Sequence, residues 1–408
     1  MKILMLSPYV TINSRPKYTR NRTGFGYMVY DIARSVAEKE SVDILLSDTR
    51  DEEFLQDEIT FRARSLSIFL RHIFKCLSLF VVFRMWRKYR MSRGAAIRLL
   101  YYWLISGYYR YVISTGGYDV VHIHGCRYST ELWMELCRQQ KVSFIVTLHG
   151  LNSFSDTISI DAAGVLYERD FLQRVVDGEI PITVIASGIM KKIESEYGKN
   201  CGNIFVVCNS FSFAQSKEVI NVRKLYGIPE GKKILLYVGN LTRNKNQAEL
   251  IKAFPLLPKE LAENTYVLFL GNQLDKDYTI PVLAEGNAYA SHFIYCGIVP
   301  KELTCSYYSQ GDAVVLLSLS EGFGLSLVEG MHFGLPCMCF DDIDAYEDIY
   351  SEDAVAGVAK HDSQSVADGV VRLLTSTWDK EKIIQHSTRF ESGAMADNYI
   401  SVYKELLK

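Results

Sequence analysis

Two glutamates frame the most chemically loaded stretch of this chain, Glu321-Gly-Phe-Gly-Leu-Ser-Leu-Val-Glu329. A nearly unbroken apolar run, Ala313 to Leu319, precedes it and reads as a buried parallel strand. A short helix is predicted from Leu325 to Phe333, stopped by Gly334 and Pro336. Glu321 then lies in the loop at the carboxyl end of a strand, where open α/β sheets bind ligands. Gly322 and Gly324 leave backbone N–H groups open at a helix start, and such groups attract phosphate. Two carboxylates beside them suit polyol hydroxyls. Together these residues describe a pocket for a sugar carrying a diphosphate.

A cation for that diphosphate is available in Tyr237-Val-Gly-Asn-Leu-Thr-Arg-Asn-Lys-Asn246. A strand ends at Gly239 and a helix starts near Gln247, which leaves Lys245 at the edge of the same crevice. Arg243 lies in the same loop and can reach a phosphate as a bidentate fork. Thr147-Leu148-His149-Gly150 ends another strand and makes His149 the leading histidine candidate. His122 and His124 are alternatives, with His124 read as structural; none of the three has metal-site spacing. Asp342-Ile-Asp344 has the form of a metal-binding pair but is read as a solvated turn, so no metal is expected.

The elements that must position these groups are legible as short apolar runs. Six fall in the first half: Lys2–Leu6, Val42–Leu46, Asp119–Ile123, Ser143–Leu148, Ile182–Ala186 and Ile204–Val207. Six more follow: Lys233–Val238, Tyr266–Leu270, Phe293–Cys296, Ala313–Leu319, Cys337–Phe340 and Ala354–Val358. Helix-length segments separate most of them, so each set predicts a parallel sheet with helices on both faces. The 408 residues exceed one ordinary core. The fold class is therefore α/β, with two Rossmann-like domains, 1–210 and 222–390, and a linker near Ser210–Val222. A last helix is predicted from about Gly393 to Leu407.

A net charge of −2 gives no global signal for nucleic acid. The nine cysteines have no CxxC pair and read as reduced thiols. No signal peptide and no run long enough to span a membrane is evident.

The stretch 321–329 resembles the E-G-F-G-L-x-x-x-E hallmark of the retaining, nucleotide-sugar-dependent glycosyltransferases of GT-B fold, family 4. That resemblance implies two Rossmann-like domains facing a cleft, with residues 391–408 crossing back onto the N-terminal domain. It places Glu321 against the donor sugar. Gly322, Phe323, Gly324 and Leu325 would offer backbone N–H groups to sugar and phosphate, and Glu329 would accept from both ribose hydroxyls. Lys245 matches the lysine of the family's G-R-x-x-x-x-K segment; the arginine position is Asn240 here, so Arg243 would have to substitute. His149 is similar to the family's cleft histidine. Gly24-Phe-Gly26 looks like its glycine-rich first loop, followed by a helix from about Tyr27, although Val29 occupies the third glycine of a dinucleotide fingerprint. The long stretch Tyr9–Thr23, with Arg15, Lys17, Arg20 and Arg22, is read either as a lid over an anion or as a solvated loop.

One segment has no counterpart in that resemblance. Between Glu58 and Asp119 there are eleven Arg and Lys and no acid. Leu66, Phe69, Leu70, Ile73, Phe74 and Leu77 follow helical spacing, with Arg64, Ser67, Arg71, Lys75 and Ser78 on the opposite stripe. This insertion, about 60–118, predicts a basic amphipathic helix of the interfacial membrane type. The expectation is a cytoplasmic enzyme, peripheral on the inner face of the cell membrane. It would move a sugar from a nucleotide-diphosphate sugar to a lipid-linked or polysaccharide acceptor, with no metal and no resident cofactor. Its expected partners are the nucleotide sugar, the lipid-linked glycan and an anionic membrane surface, and no nucleic acid. The alternatives are a GT-B nucleotide-sugar epimerase or a non-catalytic nucleotide-sugar-binding subunit.

Overall fold

The computed structural model describes residues 1–18, 24–48, 53–62, 66–154, 161–198, 201–213 and 219–408. It separates into two compact units: Met1–Cys208 with Ser392–Lys408, and Asn209–Glu391.

The first unit is built on a sheet of eight strands: β1 (Lys2–Ser7), β2 (Ser41–Leu46), β3 (Phe54–Gln56), β4 (Ile59–Phe61), β5 (Val120–His124), β6 (Ser143–Leu148), β7 (Ile182–Val184) and β8 (Ile204–Val206). Their order is β3-β4-β2-β1-β5-β6-β7-β8. All neighbours are parallel except β3 and β4, an antiparallel hairpin turned by Asp57 and Glu58, both at positive φ. These two strands were not expected; three-residue strands leave no apolar run to read. The parallel strands β1, β2 and β5 are almost wholly buried, as their continuous apolar sequences require. The terminal helix Ser392–Leu406 closes this core, packing Met395, Tyr399 and Tyr403 with Val29, Ile32 and Val36. Burying a side chain such as Met395 contributes roughly 1.5–3 kcal/mol.

Two sequence expectations need correction in this unit. Gly24 and Gly26 do not form a loop: they lie in the first turn of α1 (Gly24–Ala37). Gly26 is there because the chain passes close, its C=O accepting from Thr11 N–H at 3.0 Å while a Cβ would sit 2.3 Å from Thr11 Oγ1. Nor does a single amphipathic helix run through Leu66–Leu77. Instead α2 (Leu66–His72) passes into a 3-10 turn, Ile73–Lys75, and stops; α3 (Leu79–Lys88) begins afresh with Ser78 as its cap. The cause lies in α4 (Arg93–Gly116). At Gly107 the absent side chain lets the His72 C=O press against the helix, where a Cβ would lie 2.1 Å away. Ser106 Oγ then accepts from Leu77 N–H at 3.0 Å, and Trp103 Nε1 donates to Leu77 C=O at 2.6 Å. Side chains of α4 thus satisfy the backbone that another helical turn would have used. Leu77 is buried as a result, while Phe74 is 97% exposed. Arg64, part of the expected stripe, lies outside the described residues, as do Arg20, Arg22 and Thr23 of the expected lid; Pro16–Tyr18 form a 3-10 turn with Tyr18 buried.

The second unit carries six parallel strands: β9 (Lys233–Val238), β10 (Thr265–Leu270), β11 (Phe293–Gly297), β12 (Ala313–Leu316), β13 (Cys337–Phe340) and β14 (Val355–Val358). The order β11-β10-β9-β12-β13-β14 puts β9 and β12 side by side at the centre. From β9 the chain winds toward one edge and from β12 toward the other, so the crevice at their carboxyl ends is a topological switch point. β12 is shorter than the apolar run that announced it. Leu317 to Leu319 leave the ladder to bond with a β9 side chain and the loop that follows it: Leu317 N–H donates to Tyr237 Oη at 2.8 Å and Leu319 N–H to Asn244 C=O at 2.8 Å. The helix Leu325–His332 packs down on β12 through Gly330, where a Cβ would meet Val314 at 2.3 Å. Among the described residues no helix is long and apolar enough to cross a membrane.

Candidate functional site

Lys245 and Glu321 meet at the switch point. Lys245 Nζ donates to Glu321 Oε2, and Ser318 Oγ donates to the same oxygen at 3.1 Å. Neither side chain is sealed from water. Their positions are fixed from beneath. The buried phenol of Tyr237, on β9, donates to Lys245 C=O while accepting from Leu317 N–H, so one side chain ties both loops together. Burial raises the Tyr237 pKa well above the ordinary tyrosine value, which keeps it a donor. Asn244 Nδ2 adds a bond to Ser320 C=O at 2.9 Å, and Thr242 Oγ1 accepts from Lys245 N–H at 3.2 Å. Glu321 C=O accepts from Asp344 N–H at 3.1 Å. The Asp342–Asp344 turn is therefore a strap on the glutamate loop. Asp342 itself pairs with His361 at 3.0 Å, and the described residues contain no cluster of metal-ligating side chains.

Asn240 and Arg243 are placed differently. Asn240 Oδ1 accepts from Asn272 N–H at 3.1 Å, joining the loops after β9 and β10. These loops touch so closely that a Cβ at Gly271 would fall 2.2 Å from Gly239 O. Arg243 is exposed, turned toward Asp275 at 3.5 Å and over the Tyr278 ring, so Arg243 and Lys245 extend to different partners.

The glycine motif supplies the second half of the site. Gly324 adopts φ 86°, a left-handed conformation that suits glycine, and serves as N-cap with no side-chain hydrogen bond. The helix start is thus open to an anion. Phe323 turns its ring inward against Phe390 at 5.7 Å, leaving only its backbone for a ligand. Leu325 opens the helix, and Glu329 lies just over one turn into it. Glu329 Oε2 accepts from the buried Tyr308 hydroxyl at 2.7 Å. Tyr308 was not singled out in the sequence; a tyrosine in a distant helix, Lys301–Tyr308, carries no local sign of such a role.

In the first unit the candidate histidines gather at the ends of β5 and β6. His122 is fully buried, hydrogen-bonded through Nδ1 to Tyr403 Oη at 2.7 Å and through Nε2 to Thr147 Oγ1 at 2.5 Å. His124 lies beside it with the rings tilted by 33°, and its Nδ1 lies 3.3 Å from His149 Nε2. His124 Nε2 has no partner among the described residues. His149 is half-buried, its ring edge-on to Phe25 of α1, the residue between Gly24 and Gly26. Burial pushes the pKa of His149 down to about 4 and that of His122 to about 3, His149 adding to the effect on His122. All three imidazoles are neutral at physiological pH.

With this geometry established, comparison places the chain among known proteins. The family described as "Glycosyl transferases group 1" matches residues 219–390, nearly the whole second unit. An uncharacterized glycosyltransferase of Methanocaldococcus jannaschii is 24% identical over 312 residues, 72% of this chain and 77% of that one. The O-antigen chain mannosyltransferase B of Escherichia coli is 32% identical over 26% of this chain and 27% of its own. An Anabaena protein solved with UDP and glucose, HepE, superposes with a TM-score of 0.65 at 13% identity, covering 99% of this chain and 100% of that one. The two parallel-sheet Rossmann-like units match GT-B glycosyltransferase structures. These findings support a GT-B glycosyltransferase, with the group 1 domain matched over the second unit and the fold matched over the whole chain.

Proposed function

We propose that the chain is a retaining family 4 glycosyltransferase that takes a sugar from a nucleotide diphosphate and delivers it to a lipid-linked or polysaccharide acceptor. The observation that carries this reading is the convergence of Lys245, Glu321 and the glycine-capped helix start at Gly324, free of any side-chain cap, on one switch point. Lys245 and the N–H groups of Gly324 and Leu325 hold the diphosphate and stabilise the charge that develops as it leaves. A diphosphate competes with Glu321 for Lys245, and the freed carboxylate turns to the sugar hydroxyls. Glu329, steadied by Tyr308, accepts from the ribose hydroxyls. Arg243 swings from Asp275 to supply the second cation that Asn240 lacks.

In the transfer the acceptor oxygen bonds to the anomeric carbon as the bond to the diphosphate breaks. The acceptor proton passes to the departing phosphate on the same face, so configuration is kept. No metal is invoked, since lysine, arginine and helix N–H groups carry the neutralisation. The acceptor class is inferred from the named roles of the O-antigen relative, and with it a place on the inner face of the cell membrane. The test is a thermal-shift screen of UDP, GDP and their sugars, followed by NMR assignment of the anomeric configuration of the product. A ligand present at a hundred times its Kd stabilises the fold by about 2.7 kcal/mol. Stabilisation by none of these nucleotides, or an inverted product, refutes the reading.

A further inference from the structure

We infer that α3 and the start of α4 form a docking face for an anionic lipid bilayer. The inference rests on the lipid-linked acceptor for its purpose; the surface itself rests on exposure and charge.

The break at residues 72–78 resets which side chains of the following helix face outward. Val81, Val82 and Met85 are buried. Leu79, Phe80, Phe83 and Trp86 form an arc on the other side, with Phe80 67% and Trp86 47% exposed. On α4, Ile97 and Leu100 are likewise exposed and at helical spacing. Large apolar side chains scattered singly over a surface are ordinary, but a run of them on successive turns marks a contact site.

Charge identifies the occupant. Arg84, Arg87 and Lys88 lie along the edge of the arc, and Arg93 and Arg98 continue onto α4, all exposed. Among the described residues only Lys88 of these five has a carboxylate partner, Asp170 at 2.7 Å. The segment contains no acid between Glu58 and Asp119. Arg84 also lines a hollow with Glu131, Glu135 and Glu179, whereas Arg87, Arg93 and Arg98 edge the arc with no carboxylate paired to them among the described residues. An apolar arc so edged matches acyl chains beneath anionic headgroups, with Trp86 at the depth where indoles settle. The ten residues of α3 span about 15 Å, too short to cross a bilayer and suited to lying in its surface.

The experiment uses the full chain with vesicles of phosphatidylglycerol and phosphatidylcholine, and of phosphatidylcholine alone. Wild type should sediment with the mixed vesicles with a partition coefficient at least about tenfold higher than with the neutral ones. Brominated acyl chains should quench fluorescence that Trp86→Phe removes. Arg84→Glu with Arg87→Glu should abolish the preference for anionic vesicles. Phe80→Ser with Phe83→Ser should lower binding about tenfold even at high salt, where charge is screened. No vesicle binding by wild type, or quenching that survives Trp86→Phe, overturns the proposal; wild type that instead forms oligomers through this face also overturns it. UDP-induced thermal shift is read on the same preparations. An intact shift with no vesicle binding refutes the docking face alone, and vesicle binding with no shift refutes the donor site alone.

Discussion

The carboxyl ends of the two sheets prepare their side chains by opposite means. At the ends of β9 and β12 the candidate groups are an ion pair within reach of water, and hydrogen bonds between loops hold them in place. At the ends of β5 and β6 they are neutral imidazoles held by packing and by each other. A group that must meet a diphosphate with its charge intact cannot be fixed by burial, because burial discharges it. Tyr237 solves this by being buried itself and bonding only to backbone. A histidine that must not add charge can be fixed by burial, and the same burial keeps it neutral.

The sharpest break in this comparison comes from removing the charge at the switch point. Glu321→Ala is expected to lower kcat by roughly 10³-fold, the scale of losing a transition-state contact. Its half-open pairing with Lys245 limits the cost to stability to about 1 kcal/mol or less. A variant that turns over donor within a few-fold of wild type would place the sugar elsewhere. One that fails to fold would make the pair structural.

Burial on the other side is tested by pH. Unfolded imidazoles protonate near 6.5, whereas folded His149 and His122 resist until about 4 and about 3. Between these values the unfolded state binds more protons, so stability falls as pH falls through that window. Between pH 6.5 and about 5 each histidine should cost on the order of 2 kcal/mol, read from urea melts. His149→Gln should make that slope shallower by one histidine. A slope unchanged by the substitution would show that His149 titrates normally.

Lys245→Ala should weaken a nucleoside diphosphate roughly thirtyfold, about 2 kcal/mol, and leave the nucleoside unaffected. Calorimetry with the two ligands separates them. Equal losses would remove Lys245 from the phosphate.

What the sequence disclosed follows from how local each feature is. Twelve strands were readable because a buried parallel strand needs a continuous apolar run. The hairpin of β3 and β4 was not, since Phe54–Gln56 and Ile59–Phe61 are too short to show a pattern. The Glu321 to Glu329 motif was readable because its residues are neighbours in the chain. Tyr237 and Tyr308, which hold Lys245 and Glu329 in place, come from other elements and meet them only in the fold. The helix break was hidden for the same reason: nothing in residues 72–78 announces the glycine of α4 that lets His72 approach.

Tyr308 allows the finest test of how a half-buried carboxylate is steadied from below. Its hydroxyl is buried and donates to Glu329 Oε2 at 2.7 Å; burial and the neighbouring carboxylate hold its pKa well above the ordinary range. Tyr308→Phe keeps the ring stacked on Phe333 and removes only the donor. Glu329 keeps its place on the helix but loses part of what orients it. Nucleoside and nucleoside diphosphate share the ribose, so both should bind about fivefold more weakly, near 1 kcal/mol, with kcat nearly unchanged. Glu329→Ala should abolish the effect of adding Tyr308→Phe, because the phenol would have no carboxylate left to place. Additive losses in the double variant would show that Tyr308 acts on the fold and not through Glu329.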